Sequence, residues 1–227
     1  MVRNLVLMLV ILFVAAWPAA AQESAETHPE VVNHGGALAG WVSLANLKGL
    51  NDLLTANGYA PFAEGFLVFG GRGVAGEVLG LRFGGGGAGG DVASYQGERV
   101  AKLEFGYGGF TIDQGLLHGD SYDVAAGATL GGGEATLTLQ AHRPDTLDEA
   151  IANPVNTVLT RSFWLIQPHA TIMIEVLPWL GLQLNATYLW TLSEAWMQHD
   201  TVLPGPPADF NGWSVEVGLS FGGAFED

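Results

Sequence analysis

The sequence predicts an all-β protein, an antiparallel up-and-down transmembrane β-barrel of about eight strands preceded by a short amphipathic helix. Three observations predict it: long strict alternation near the C-terminus, a polar face almost free of charge, and unequal connections between strands. From Arg161 to Val176, Trp164, Ile166, Ala170, Ile172, Ile174 and Val176 share one face, and Gln167, His169, Thr171 and Glu175 share the other. Next, Leu180, Leu182, Leu184, Ala186, Tyr188 and Trp190 oppose Gln183, Asn185 and Thr187. Near the end, Trp213, Val215, Val217, Leu219 and Phe221 oppose Ser214, Glu216 and Ser220. Period two means β-strand, because side chains alternate across the pleat. These runs exceed the roughly 5–6 residues of ordinary strands and suit the 9–11 that a tilted membrane-spanning strand needs.

Composition supports a barrel whose outside is apolar. Only 14% of the 227 residues are charged while 48% are hydrophobic. Thr, Ser, Gln, Asn and Gly fill the faces that a soluble sheet would load with Lys and Glu. Eight Lys and Arg stand against 23 Asp and Glu, a formal net charge of −15. That balance excludes nucleic acid, whose phosphates call for basic clusters. The chain has no Cys, so neither a disulfide nor a lipidated cysteine is available.

Taken in order, residues 1–21 read as a cleaved signal peptide. Arg3 is the positive start, Leu5 to Ala16 the short apolar core, and Ala19-Ala20-Ala21 the small-residue cleavage site. Residues 22–61 form an N-terminal unit, flexible from Gln22 to Gly36 and then helical from Trp41 to Asn57. Leu44, Leu47, Leu50 and Leu54 recur there at helical spacing. Residues 62–227 form the barrel domain, with strands expected at 66–71, 74–83, 98–112, 120–130, 135–142, 161–176, 181–191 and 213–222. Gly84 to Gly90 reads as loop and Gly131-Gly132-Gly133 as a turn.

Short turns at one end and long connections at the other, Arg143 to Thr160 and Thr191 to Gly212, match outer-membrane barrels. Trp164, Tyr188, Trp190 and Trp213 gather at the long-loop end; Trp179, Phe221 and Phe83 gather at the other. The two groups read as aromatic girdles at the membrane surfaces. Trp213 to Phe221 is about 26 Å along a strand and, tilted by about 40°, about 20 Å of membrane normal.

On these features the chain resembles the small eight-stranded outer-membrane barrels of diderm bacteria over roughly Phe66 to Phe221. The resemblance is architectural: leader, long alternating strands, unequal loops and aromatic belts. It implies a location in the cell outer membrane and membrane lipid as a partner. Such barrels end on an aromatic residue, whereas this chain ends Phe225-Glu226-Asp227.

The expected lumen holds Arg82, Lys102, Glu104, Gln140, His169, Glu175, Gln183, Asn185 and Glu216. In a barrel this narrow they form a filling network, with cations compensating carboxylates, or line a narrow pore or ligand pocket. An acidic outer rim is expected from Asp113, Asp120 and Asp123, from Asp145, Asp148 and Glu149, and from Glu194, Asp200 and Asp209. It is oxygen-rich enough for divalent cations, although no loop has a known calcium-loop spacing. His118, Asp120 and Ser121 adjoin on an expected outward loop. Because some small outer-membrane barrels with a leading amphipathic helix are lipid acyltransferases, the resemblance makes a lipid-modifying enzyme one alternative. Sequence adjacency is not catalytic geometry, however, and no catalytic, metal or cofactor residues are expected. The leading expectation is a structural or surface-interaction protein displaying acidic loops. The other alternative is a secreted, soluble Gly-rich sheet protein that self-associates at the cell surface.

Overall fold

Eight strands pair in sequence order and the last returns to the first, which closes the sheet on itself. A computed structural model describes residues 31–44, 47–142, 144, 146–152, 156–205 and 210–225. The expected leader and residues 22–30 lie outside the described residues. The strands are β1 (Val31–Leu44), β2 (Gly65–Glu77), β3 (Leu81–Gln96), β4 (Arg99–Gly119), β5 (Tyr122–Gln140), β6 (Asn156–Leu177), β7 (Leu180–Ser193) and β10 (Gly212–Phe225). Every pairing is antiparallel, and β1 bonds β2 on one side and β10 on the other. Helix α1 (Lys48–Ala56) lies between β1 and β2, and helix α2 (Leu147–Ala152) between β5 and β6. Short strands β8 (Trp196–Gln198) and β9 (Thr201–Leu203) form a hairpin between β7 and β10.

Connections are short at one end, through residues 78–80, 120–121 and 178–179. At the other end, residues 45–64, 141–155 and 194–211 connect strands by longer paths. The exception there is the turn at Gly97, where φ of +60° makes glycine the fitting residue. Strand β6, with 22 residues, is about twice the length a tilted span requires, so its long-loop end projects.

The structure corrects the sequence reading mainly in the glycine-rich half. Residues 31–44 are a barrel strand, not a flexible segment or the start of a helix; Gly35, Gly36 and Gly40 dilute the alternation that would have marked it. The helix begins only at Lys48, and Trp41 points outward from β1. Gly84 to Gly90 is the interior of β3 rather than loop, paired with β4 throughout and with β2 as far as Gly89. Gly131 to Gly133 continues a single strand, β5, and does not turn it. Gaining β1 and fusing two expected strands leaves the ring at eight. Strand β10 runs to Phe225, past the expected end.

Gly131 shows why glycine persists inside these strands. A Cβ built there would stand 2.1 Å from the Gly108 carbonyl oxygen of β4, whereas one at Gly106 meets nothing within 4 Å. Gly131→Ala is therefore expected to lower stability by about 1–3 kcal/mol, the usual scale of overpacking, and Gly106→Ala to leave it unchanged. Urea midpoints of the refolded variants in detergent check both.

Candidate functional site: a filled lumen

The wall of the barrel reverses its polarity along its length. In its middle, Phe110, Ile112, Leu130, Ile166, Ile172, Leu184 and Val217 face outward. Thr111, Asp113, Thr129, Gln167, His169, Gln183, Asn185 and Glu216 face inward and are buried. Toward the long-loop end the same strands put Lys102, Glu104, Glu134, Thr136 and Thr138 outside. Inside, at that end, sit Ala101, Leu103, Phe105, Ala135, Leu137, Phe163 and Leu165.

The apolar inner layer is a plug. Phe105 stacks on Phe163 with ring centroids 5.1 Å apart, and Phe210 packs against both at 5.4 and 5.6 Å. Phe210 arrives from the connection before β10, its backbone N–H donating to Thr191 Oγ1 at 2.8 Å. Phe62 arrives from the connection after α1, where the Asn51 side chain accepts from its N–H at 2.9 Å and donates to its carbonyl at 3.1 Å. Leu50 and Leu54 of α1 close the layer from above.

Below the plug, side chains from all eight strands form polar clusters. Arg82 of β3 makes a bidentate pair with Asp123 of β5, at 2.6 and 2.7 Å, and also donates to the carbonyls of Glu77 and Val78. Arg72 of β2 pairs with Asp113 of β4 and donates to Thr171 Oγ1 at 3.2 Å. His169 of β6 joins that pair, its Nε2 2.8 Å from Asp113 and its Nδ1 3.1 Å from the Gln167 carbonyl. Gln167 donates to Tyr107 Oη and Thr187 Oγ1 at 2.9 and 3.1 Å. Across the lumen Gln183 donates to Asn185, which donates to Glu216 at 3.1 Å. His34 of β1 meets Ser220 of β10 at 3.2 Å, a contact across the closing seam. The gap lined by Arg72, Tyr107, Gln167, His169, Thr187 and Glu216 measures about 30 Å³, room for roughly two waters.

Of the expected lumen residues, Arg82, His169, Gln183, Asn185 and Glu216 are brought inside. Lys102, Glu104 and Gln140 are not. They lie on the outer wall beyond the plug, where Lys102 pairs with Glu104 at 2.9 Å. Glu175 is exposed at the short-turn end. Asp113 and Asp123 are corrected the other way. Expected on an outer loop, they are buried lumen residues that neutralise the two arginines. The expected loop from Asp113 to Gly119 is strand, and Asp120 occupies a tight turn at the short-turn end. His118, Asp120 and Ser121 therefore sit at the end opposite the long connections; His118 Nδ1 lies 3.5 Å from Asp123. Of the remaining acidic rim, Asp148, Glu194 and Asp200 are exposed, while Asp145, Asp209 and the side chain of Glu149 lie outside what the structure describes.

The girdle residues lie where the alternation put them. Trp164, Trp190 and Trp213 are exposed on the outer wall, Tyr188 packs edge-on against Trp213 at 4.8 Å, and Trp41 joins this belt. Toward the short turns, Trp179 stacks on Phe221 at 6.3 Å and Phe83 on Phe110 at 6.1 Å.

Among solved structures the chain is similar to Ail, the attachment invasion locus protein of Yersinia pestis. The identity is 10% and the TM-score 0.41, over 88% of this chain and 100% of that one. Ail in complex with the heparin analogue sucrose octasulfate gives 10% identity and a TM-score of 0.43 over the same shares. No protein-family model and no curated protein matches.

Removing one partner of a buried pair strands the other charge, at a cost of about 3–5 kcal/mol. Arg82→Met is expected to lower stability by that scale, read as a lower urea midpoint in detergent, and Arg82→Met with Asp123→Leu to recover much of it. Lys102→Met, on the wet outer wall, should leave the midpoint where it was.

Proposed function

We propose that the protein is an outer-membrane β-barrel with a sealed lumen, serving as a structural platform that carries a surface-interaction sheet outside the membrane. The observation that carries this reading is the polarity reversal of the wall. A soluble barrel has water outside along its whole length, and no solvent change would then reward Ile172, Leu184 and Val217 outside and Gln183 and Glu216 inside. Hydrocarbon around the middle and water around the long-loop end reward both halves of the pattern. Ring closure meets the requirement that hydrocarbon imposes on every backbone N–H and C=O.

A transport role has little support. The Phe105, Phe163 and Phe210 layer closes one end, and the ion-paired network leaves room for roughly two waters beneath it. The part offered to partners is the projecting sheet of β3, β4, β5 and β6, extended by β8 and β9 where β6 outruns β7. Among the described residues β9 pairs only with β8, so its other edge carries unpaired backbone groups, with Val202 exposed. Such an edge can take up an additional strand from another protein. The exposed carboxylates of Asp148, Glu194 and Asp200 favour partners that are cationic or bridged by divalent cations.

Two measurements test the reading. The folded protein should migrate faster unboiled than boiled on a detergent gel, and it should stay with detergent micelles; a compact particle in plain buffer would contradict the membrane assignment. Reconstituted into a planar bilayer, it should show no stepwise conductance; steady open-channel steps would contradict the sealed lumen.

A further inference from the structure

The mouth of the barrel contains an apolar cavity of about 330 Å³ that the phenylalanine plug leaves unfilled. Leu53 of α1, Leu137 and Leu139 of β5, Leu159 of β6, and Trp196 and Leu203 of the β8–β9 hairpin wall it from three directions. Apart from Asn57 and the polar tips of Tyr59 and Trp196, the described lining is hydrocarbon and backbone. The Asn57 amide already donates to the Leu53 carbonyl at 2.8 Å. Among the described residues nothing in the depth of the cavity can hydrogen-bond a ligand, so the site these residues form suits an apolar group. The volume sits at the small end of ligand sites and admits one alkyl chain, not the paired chains of a diacyl lipid.

The rim supplies the complementary charge. Tyr59 lines the cavity, and the Arg99 guanidinium lies 5.5 Å above its ring and donates to the Asn57 carbonyl. Arg99 is exposed, and a guanidinium has five N–H donors, so most remain available. In a chain of net charge −15, a cation fixed on an aromatic ring beside an apolar opening singles out one class of ligand. We propose that the mouth binds a single-chain fatty carboxylate, its alkyl chain among Leu137, Leu139, Leu159 and Leu203 and its carboxylate against Arg99. The Tyr59 ring holds the guanidinium in place, and charge-assisted N–H donation to the carboxylate sets the preference for acid over alcohol.

Native mass spectrometry of the folded protein held in amphipol, titrated with palmitate, hexadecanol and a diacyl phosphatidylcholine, tests this. One saturable palmitate per chain is expected, with the phospholipid binding far more weakly. Leu159→Trp, which fills the cavity, should abolish the adduct; Leu137→Trp serves if that variant fails the heat shift on a gel. Arg99→Gln should weaken palmitate by roughly five- to tenfold and leave hexadecanol unchanged. The proposal is overturned by a non-saturable series of adducts, by no adduct, or by an adduct that survives both tryptophan variants. It is also overturned by phospholipid binding as tight as palmitate's, or by an Arg99→Gln loss equal for acid and alcohol.

Discussion

Every other feature of this protein depends on the seam between β1 and β10. All fourteen residues of β1 have partners on β10, from Val31 with Phe225 to Leu44 with Gly212. Without that seam the sheet would end in two long edges of unpaired N–H and C=O groups, each costly in hydrocarbon. With it, strand identity matters only through which side chains face each way. That freedom lets nearly bare glycine strands, β2 and β3 among them, share a wall with β6, β7 and β10, which carry large apolar side chains. Where the ring is complete, backbone pairing holds the wall even in places where side chains offer little to pack.

Closure also creates a lumen too narrow to stay empty and too dry to hold lone charges. The chain fills it in two ways, according to what surrounds the wall. Toward the long-loop end, where Lys102, Glu104 and Glu134 face outward, the inside takes the apolar role and packs around Phe105, Phe163 and Phe210. Where the outer face is apolar, the inside takes the polar residues and must satisfy them internally. Arg82 with Asp123 and Arg72 with Asp113 do so with opposite charges brought from different strands, so the network also cross-braces the barrel. Filling of the lumen is thus a consequence of barrel width and strand chemistry.

How much of this was legible in the sequence varied along the chain with side-chain size. In β6, β7 and β10, large apolar residues alternate with Gln, Asn, Thr and Ser, and the faces read from sequence are those of the structure. In β1, β2 and β3, glycine on both faces erases the alternation, so β1 was missed and Arg72 was not singled out. In β4 the signal was present but inverted. Leu103, Phe105, Thr111 and Asp113 share one phase, apolar at one end of the strand and polar at the other. Reading that phase as uniformly lipid-facing puts Lys102 and Glu104 inside and leaves Asp113 on a loop. The change of residue class within a single phase, opposite Phe110 and Ile112, was the available clue to both the plug and the ion-paired network. Phe62, Asn51 and Phe210 come from connections whose inward path is set by tertiary contacts, and no local pattern marks them.

The central claim is that one wall meets hydrocarbon in its middle and water at its long-loop end. Single nitroxide labels at Ile172, Leu184 and Val217, and separately at Glu104 and Glu134, would read it directly in a lipid bilayer by collision with oxygen and with a water-soluble nickel complex. The account predicts that oxygen dominates relaxation at the first three positions and nickel at the last two. Nickel access at Ile172, Leu184 and Val217 equal to that at Glu104 and Glu134 would contradict it.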